Sequence, residues 1–311
     1  MKRLVLVYNP RSARFPEVER KVIQKSRELK GWMVCKFEVR KASVEENAEE
    51  LAKIIKKDDL VVSAGGDGTA SMVLNAILKS EKLATLGVLG LGNFNDYALT
   101  FGEMSLQRIC KKFSEGKFEE LYPLEVKVDG RFFRYVGMYF TVGMFAEAAG
   151  VFEKPKVRKR IGKVKNRLGY SIRKLAGWYF FWNKWRKDFF PEGRLLEGGV
   201  QKGFQFEKGT TDYVALNGKS VAGLVEAKGW TQEKKEFLSG TLRNRSFWRM
   251  LVVGVRTLEG KLPGEVTEGD VIEFLEPGDV YLHVEGELEK KVGVKRIEVK
   301  KTGVKLRVIR K

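Results

Sequence analysis

A carboxylate set among glycines is the first place where this sequence could do chemistry. Gly65-Gly66-Asp67-Gly68-Thr69 stands between an apolar run and a helical pattern. Glycines there let the backbone approach a phosphate, and the first amides of a following helix can receive its negative charge. Asp67 is the informative member, because a carboxylate among phosphates is repelled unless it binds Mg²⁺, orients a nucleotide hydroxyl or accepts a proton during phosphoryl transfer. The plainer alternative is a tight strand-to-helix turn in which Asp67 caps the helix. Two further polar loops bear on the choice. Asn9-Pro10-Arg11-Ser12 ends the first apolar run, and Gly92-Asn93-Phe94-Asn95-Asp96 follows the run that begins at Thr85.

The elements that would position these loops alternate between strand and helix. Leu4 to Tyr8 is a continuous apolar run, as a buried parallel strand requires. A charged amphipathic helix is expected from Glu17 to Leu29, then a strand near Trp32 to Val39. A second helix should start at Ser43, with Glu46 completing a capping box, and run to about Lys56. Leu60 to Ser63 reads as a strand, Ala70 to Lys79 as a helix and Thr85 to Leu89 as a strand. Such alternation predicts a doubly wound parallel sheet, with its ligands in loops at the carboxyl ends of the strands. All three polar loops fall at such ends.

After Pro123 the period changes. Leu124 to Val128, Phe132 to Thr141, Tyr213 to Leu216, Met250 to Arg256, Val271 to Leu275 and Val280 to Val284 read as strands. Asp129-Gly130, Asn217-Gly218, Glu268-Gly269-Asp270 and Pro277-Gly278-Asp279 are the expected hairpin turns between antiparallel strands. The fold class predicted is therefore α/β. The domain with the doubly wound parallel sheet spans residues 1–122, and a β-rich domain, sandwich or half-barrel, spans 123–311.

Taken in order and spacing, the three loops resemble the catalytic domain of the diacylglycerol kinases. That superfamily of lipid kinases also includes the sphingosine kinases and is related to the NAD kinases. Its pattern is an Asn-Pro-x-Ser loop, Gly-Gly-Asp-Gly-Thr and Gly-Thr-x-Asn-Asp. Val142-Gly143-Met144-Phe145-Ala146-Glu147 looks like the family's Gly-x-Asp-Ala-Glu stretch, Arg167-Leu168-Gly169-Tyr170 like its Leu-Gly-Tyr, and Val284-Glu285-Gly286-Glu287 like its late Asp-Gly-Glu. The resemblance implies transfer of the ATP γ-phosphate, with Mg²⁺, to a lipid hydroxyl in the cleft between a Rossmann-like three-layer α/β nucleotide-binding domain and an antiparallel β-sandwich. It implies that Asn9, Ser12, Gly65, Gly66, Asp67, Gly68, Thr69, Gly92, Asn93, Asn95 and Asp96 hold the nucleotide, with Asp67 close to the transferred phosphate. Glu287, or Glu285 beside it, becomes the general base or metal-organising group. His283, on an apparent strand just before them, reads as a satisfied structural histidine.

Departures from the pattern remove acidic or polar groups. Met72 stands where the helix after the glycine loop usually carries Glu, Phe145 where Gly-x-Asp-Ala has Asp, and Ser239-Gly240 where an Asp-Gly is expected. Asn93 replaces Thr, Leu99 a basic residue, and Glu285 the shorter Asp. Two alternatives follow: an NAD kinase-like enzyme, which shares only the glycine loop, and a nucleotide- and membrane-binding protein whose catalysis is impaired.

Between Lys154 and Lys187 the chain is dense in Lys and Arg, and no Asp or Glu interrupts them. Leu168, Ile172, Leu175, Tyr179 and Trp182 recur at helical spacing, with Trp178, Phe180, Phe181 and Trp185 beside them. A basic amphipathic helix rich in Trp and Phe fits an anionic membrane interface. The alternatives are packing of these aromatics on the β-rich domain, and a nucleic-acid surface, which no accompanying motif supports. The whole chain has 59 Lys and Arg against 40 Asp and Glu, a net charge of +19, which favours polyanionic partners. Two distant cysteines, Cys35 and Cys110, and a single histidine leave almost no ligands for a zinc site. The expectation is a cytoplasmic protein with reduced thiols, without a signal peptide or spanning helix, attached to the membrane peripherally.

Overall fold

The computed structural model describes residues 1–12, 15–40, 43–92, 95–143, 146–147, 193–197, 200–206, 210–221, 225–226, 235–243 and 264–311. The chain divides into two compact units, Met1–Pro123 with Gly303–Lys311, and Leu124–Thr302.

The first unit is built on strands β1 (Lys2–Tyr8), β2 (Trp32–Glu38), β3 (Leu60–Gly65), β4 (Thr85–Gly90), β5 (Glu119–Leu121) and β18 (Leu306–Val308), in the order β2-β1-β3-β4-β18-β5. All neighbours are parallel except β18 and β5. β3 is buried along its whole length, which explains why its sequence is apolar without alternation. The helical stretch expected from Glu17 is shorter and irregular: α1 (Phe15–Val18) passes through a π-helical turn (Glu19–Ile23) into α2 (Gln24–Ser26). α3 (Val44–Ile54) starts in the expected capping box, Ser43 Oγ accepting from Glu46 N at 3.1 Å and Ser43 N donating to Glu46 Oε2 at 2.8 Å. α4 (Asp67–Ser80) begins three residues before the expected Ala70, so the glycine loop itself enters the helix. Asp96–Phe101 forms α5 and Leu106–Ser114 forms α6. Leu4, Leu6, Leu60, Val62, Ile109 and Ile309 share one core.

The second unit is antiparallel. Its main sheet contains β6 (Leu124–Val128), β7 (Arg131–Val136), β8 (Tyr139–Gly143), β9 (Gly193–Glu197), β10 (Val200–Phe206), β11 (Thr210–Leu216), β14 (Phe237–Arg243), β15 (Glu265–Thr267), β16 (Gly269–Val284) and β17 (Glu287–Lys301). β12 (Ser220–Val221) and β13 (Val225–Glu226) pair separately. β16 pairs β9 through Asp270–Phe274 and β8 through Leu282–Val284, so its two halves belong to different parts of the sheet. Ile272, Phe274, Val280, Leu282 and Val284 nevertheless enter one core with Phe140, Tyr213, Phe237 and Ile297.

Three expectations change here. The segment Phe132 to Thr141 is two strands, because the chain turns at Gly137-Met138. Pro277-Gly278-Asp279 is an irregularity within β16 rather than a hairpin turn, since β17 runs on beside it and Gly278 still pairs Val294. The final residues, placed by the sequence reading in the second domain, belong to the first, where β18 fills the gap between β4 and β5. Met250 to Arg256 lies outside the described residues.

Candidate active site

β1 leads to β2 on one side while β3 lies on the other, so the order of the first sheet reverses between β1 and β3. Ligands of open α/β sheets bind outside the carboxyl ends of the strands at such a switch point. Tyr8 pairs Ala64, which brings Asn9 and Gly65 side by side there.

Each loop is closed by its own hydrogen bonds. Asn9 Oδ1 accepts from Arg11 N at 3.0 Å, and Asn9 O accepts from Ser12 N at 3.0 Å. Asn95 clasps the third loop, its Oδ1 accepting from Gly92 N at 2.9 Å and its Nδ2 donating to Gly92 O at 3.2 Å. The middle loop is held by space as well as by bonds. A Cβ on Gly65 would meet Thr69 Oγ1 at 2.5 Å, so only glycine lets the helix start this close to its strand. Gly66 is the N-cap of α4 and makes no side-chain capping bond.

Two bonds join the second loop to the third. Leu91 N donates to Gly65 O at 3.0 Å, and Tyr97 N, in the first turn of α5, donates to Asp67 Oδ1 at 3.1 Å. Asp67 is 5% exposed and Asp96 fully buried. The Asp67 carboxylate is thus fixed by the peptide that follows Asp96. Gly90 makes this approach possible, since a Cβ there would meet Ala98 Cβ at 2.7 Å. Sequence reasoning did not single out Gly90 or Tyr97; a glycine just before a motif loop was the available signal. Asn93 and Phe94 lie outside the described residues.

Among the described residues no group of three or more His, Cys, Asp or Glu side chains is placed to hold a metal ion. Mg²⁺ commonly takes one or two carboxylates and completes its shell with substrate phosphates and water. Asp67, at the start of α4, is of the right type to supply one such carboxylate, whereas Asp96 is fully buried. Met72 is buried in α4, Ser239 pairs with Ala215 inside the second sheet, and Leu99 is exposed on α5, so none adds a ligand. Phe145 lies outside the described residues.

In the second unit the two candidate glutamates have different surroundings. Glu285 and Gly286 form the turn between β16 and β17, both with positive φ, 50° and 93°. Glu285 is fully buried and its Oε1 accepts from Met138 N, in the turn between β7 and β8. That turn is fixed again by Asn217 and Gly218, whose amides donate to Met138 O at 2.7 Å each, and by Asn217 Nδ2, which donates to Gly137 O at 2.8 Å. Glu287 opens β17, paired with Val284 and only partly buried. His283 is buried, its Nε2 accepting from Gly286 N at 3.2 Å. Burial pushes its pKa down to about 4.

The Lys154 to Lys187 segment and the Arg167 to Tyr170 stretch lie outside the described residues. Among those described, no helix is long and apolar enough to cross a membrane.

Residues 3–124 match the family described as "Diacylglycerol kinase catalytic domain". A diacylglycerol kinase of Bacillus subtilis (strain 168) is 35% identical over 104 residues, 33% of this chain and 34% of that protein. The match thus spans about a third of the length of the curated relative. A solved structure described as a diacylglycerol kinase of Bacillus anthracis str. Sterne covers 100% of this chain and 97% of its own, with a TM-score of 0.61 and 13% identity. Two further Bacillus anthracis str. Sterne structures carrying a diacylglycerol kinase assignment reach TM-scores of 0.68 and 0.67 at 14% identity. At such identities the likeness is one of fold, and it extends over both units.

Proposed function

From the diacylglycerol kinase catalytic domain matched by residues 3–124, we propose that this chain transfers the γ-phosphate of ATP to the hydroxyl of a diacylglycerol-like lipid at a membrane surface. The observation that carries the reading is the Asp67 carboxylate, buried between two loops at the switch point and oriented by the Tyr97 amide. Phosphoryl transfer asks the protein mainly to position the reactants and neutralise charge. Asn9, Ser12, Gly65, Gly66, Gly68, Thr69, Gly92, Asn93 and Asn95 cradle the nucleotide. Asp67 would hold Mg²⁺ when the ion is bound, oriented by the peptide between Asp96 and Tyr97, and the ion would offset the charge of the phosphates. Glu287, partly open to solvent at the start of β17, takes the proton of the acceptor hydroxyl. Glu285 does not share that task, because its carboxylate is engaged by the Met138 amide.

The net charge of +19 and the basic, aromatic composition of Lys154 to Lys187 support docking on anionic lipid. The test is transfer of label from γ-labelled ATP, with Mg²⁺, into diacylglycerol, monoacylglycerol, sphingoid bases, polyprenols and NAD, beside an Asp67→Ala control. Label in one lipid, lost in the control, is expected. Label in NAD alone would establish the NAD kinase reading, and ATP binding without any transfer would establish a protein that has lost catalysis. Pelleting with anionic liposomes, weakening as salt rises, tests the membrane arm; preference for RNA or DNA would overturn it.

A further inference from the structure

The turn between β16 and β17 is under conformational load. Glu285 lies at φ 50° and Gly286 at φ 93°, the pattern of a tight hairpin turn of the primed type. Glycine adopts it freely, whereas a glutamate there costs about 1 kcal/mol or more. Such a turn persists only where its surroundings hold it. One support is the Glu285 carboxylate on the Met138 amide. The other is His283, whose Nε2 accepts the Gly286 N–H at 3.2 Å.

We propose that His283 is a positioning residue for phosphoryl transfer, its unprotonated Nε2 holding the Gly286 amide so that the turn presents Glu287 in a single place. This rests on the reading of the chain as a lipid kinase with Glu287 as its acceptor-side base. Since Nε2 accepts, the ring proton is on Nδ1, and a second proton would set N–H against N–H at Gly286. Burial keeps the ring in its neutral, accepting form. The neighbours are consistent with this. Cross-strand on β8 is Thr141, opposite on β17 is Leu288, and the Tyr139 ring lies 5.5 Å away, none of them charged at neutral pH. The titratable groups closest along the chain are Tyr281 and Glu285, the latter bound to Met138 N, followed by Asp279 and Glu287 itself. A ring that only filled space would have no need of a nitrogen at the turn.

His283 is the one histidine of the chain, so its imidazole gives a single set of ¹⁵N signals. On the full-length wild-type protein, the ring nitrogens and the Gly286 amide should titrate together, well below the usual histidine range, with Nε2 unprotonated at pH 7. Titration of the ring near its ordinary value, or a Gly286 amide that does not follow it, overturns the proposal. In the lipid kinase assay His283→Phe should lower kcat about tenfold with KM for ATP unchanged, while His283→Gln, whose carbonyl can accept the same amide, recovers most of the loss. Equal kcat in the wild type and His283→Phe would also overturn it. If the wild type phosphorylates no lipid, the kinase reading fails and the role in transfer with it. The ring and amide signals still decide separately whether His283 holds the turn.

Discussion

The Tyr97 amide donates to Asp67 Oδ1 at 3.1 Å, so the carboxylate that follows the glycine loop of β3 is aimed by the helix that follows β4. Asparagine can keep this bond through its own carbonyl oxygen while losing the charge. Asp67→Asn is therefore expected to leave thermal unfolding nearly unchanged and to lower label transfer from ATP by about 10²–10⁴-fold. Asp67→Ala loses both. A wild-type transfer rate in Asp67→Asn would remove Asp67 from the reaction.

Gly65 tests the geometry of the loop itself. An added Cβ at 2.5 Å from Thr69 Oγ1 and 2.8 Å from Thr69 Cβ has nowhere to go without moving the start of α4. Gly65→Ala should destabilise by about 1–3 kcal/mol, read as a lower unfolding midpoint, and should weaken nucleotide binding. Adding Thr69→Ala removes the closest atom and should restore part of the stability. A fully additive loss in the double variant would show that the two residues do not meet.

Glu285 and Glu287 should separate cleanly. Glu285→Ala leaves the buried Met138 amide without its acceptor and keeps a positive φ at a non-glycine residue, so a loss of about 1–3 kcal/mol is expected in chemical denaturation. Glu287→Ala, at a partly buried position, should cost less stability than Glu285→Ala and lose phosphoryl transfer. The reverse pattern would assign the base to Glu285.

The first unit was legible because parallel strands announce themselves locally. Leu4 to Tyr8 and Leu60 to Ser63 read as buried runs, and both end where polar loops begin. The contacts that aim Asp67 were not legible, since Tyr97 lies 30 residues away in sequence and acts through its backbone. The second unit was harder still. Pro277-Gly278-Asp279 has turn chemistry, but pairing with β17 overrides it, and the actual turn contains a glutamate. The return of β18 was hidden for a similar reason, because a strand of three residues carries little periodicity and its place depends on Thr85, Leu86 and Leu121. Glu285 and Glu287 look alike in sequence and differ only once Met138 is near one of them.

The thiols offer a check on the first core. Cys110 is buried against Leu106 and Ile109 in the shared core, and burial pushes its pKa up to about 12. Little thiolate exists there at pH 8, and reagent has no access. Cys35 on β2 is partly exposed. A thiol reagent should therefore titrate one cysteine in the native protein and both of the two in guanidinium. Two fast-reacting native thiols would contradict the packing of α6.

His283 also links folding to pH. Its pKa falls from 6.5 to about 4 on burial, so the folded state favours the neutral ring. Above pH 6.5 the ring is neutral in both states and its burial carries no protonation penalty. As the pH falls through 6.5 the unfolded chain gains a proton that the folded chain refuses, and stability declines until the folded ring also protonates near 4. The whole effect is on the order of 3 kcal/mol. Carboxylates titrate in part of the same window, so the informative quantity is a difference. The gap in unfolding free energy between the wild type and His283→Phe, measured in denaturant from pH 7 to pH 4, should shift steadily toward the variant as the pH falls. A gap independent of pH would mean that the ring is protonated as easily inside the protein as outside it.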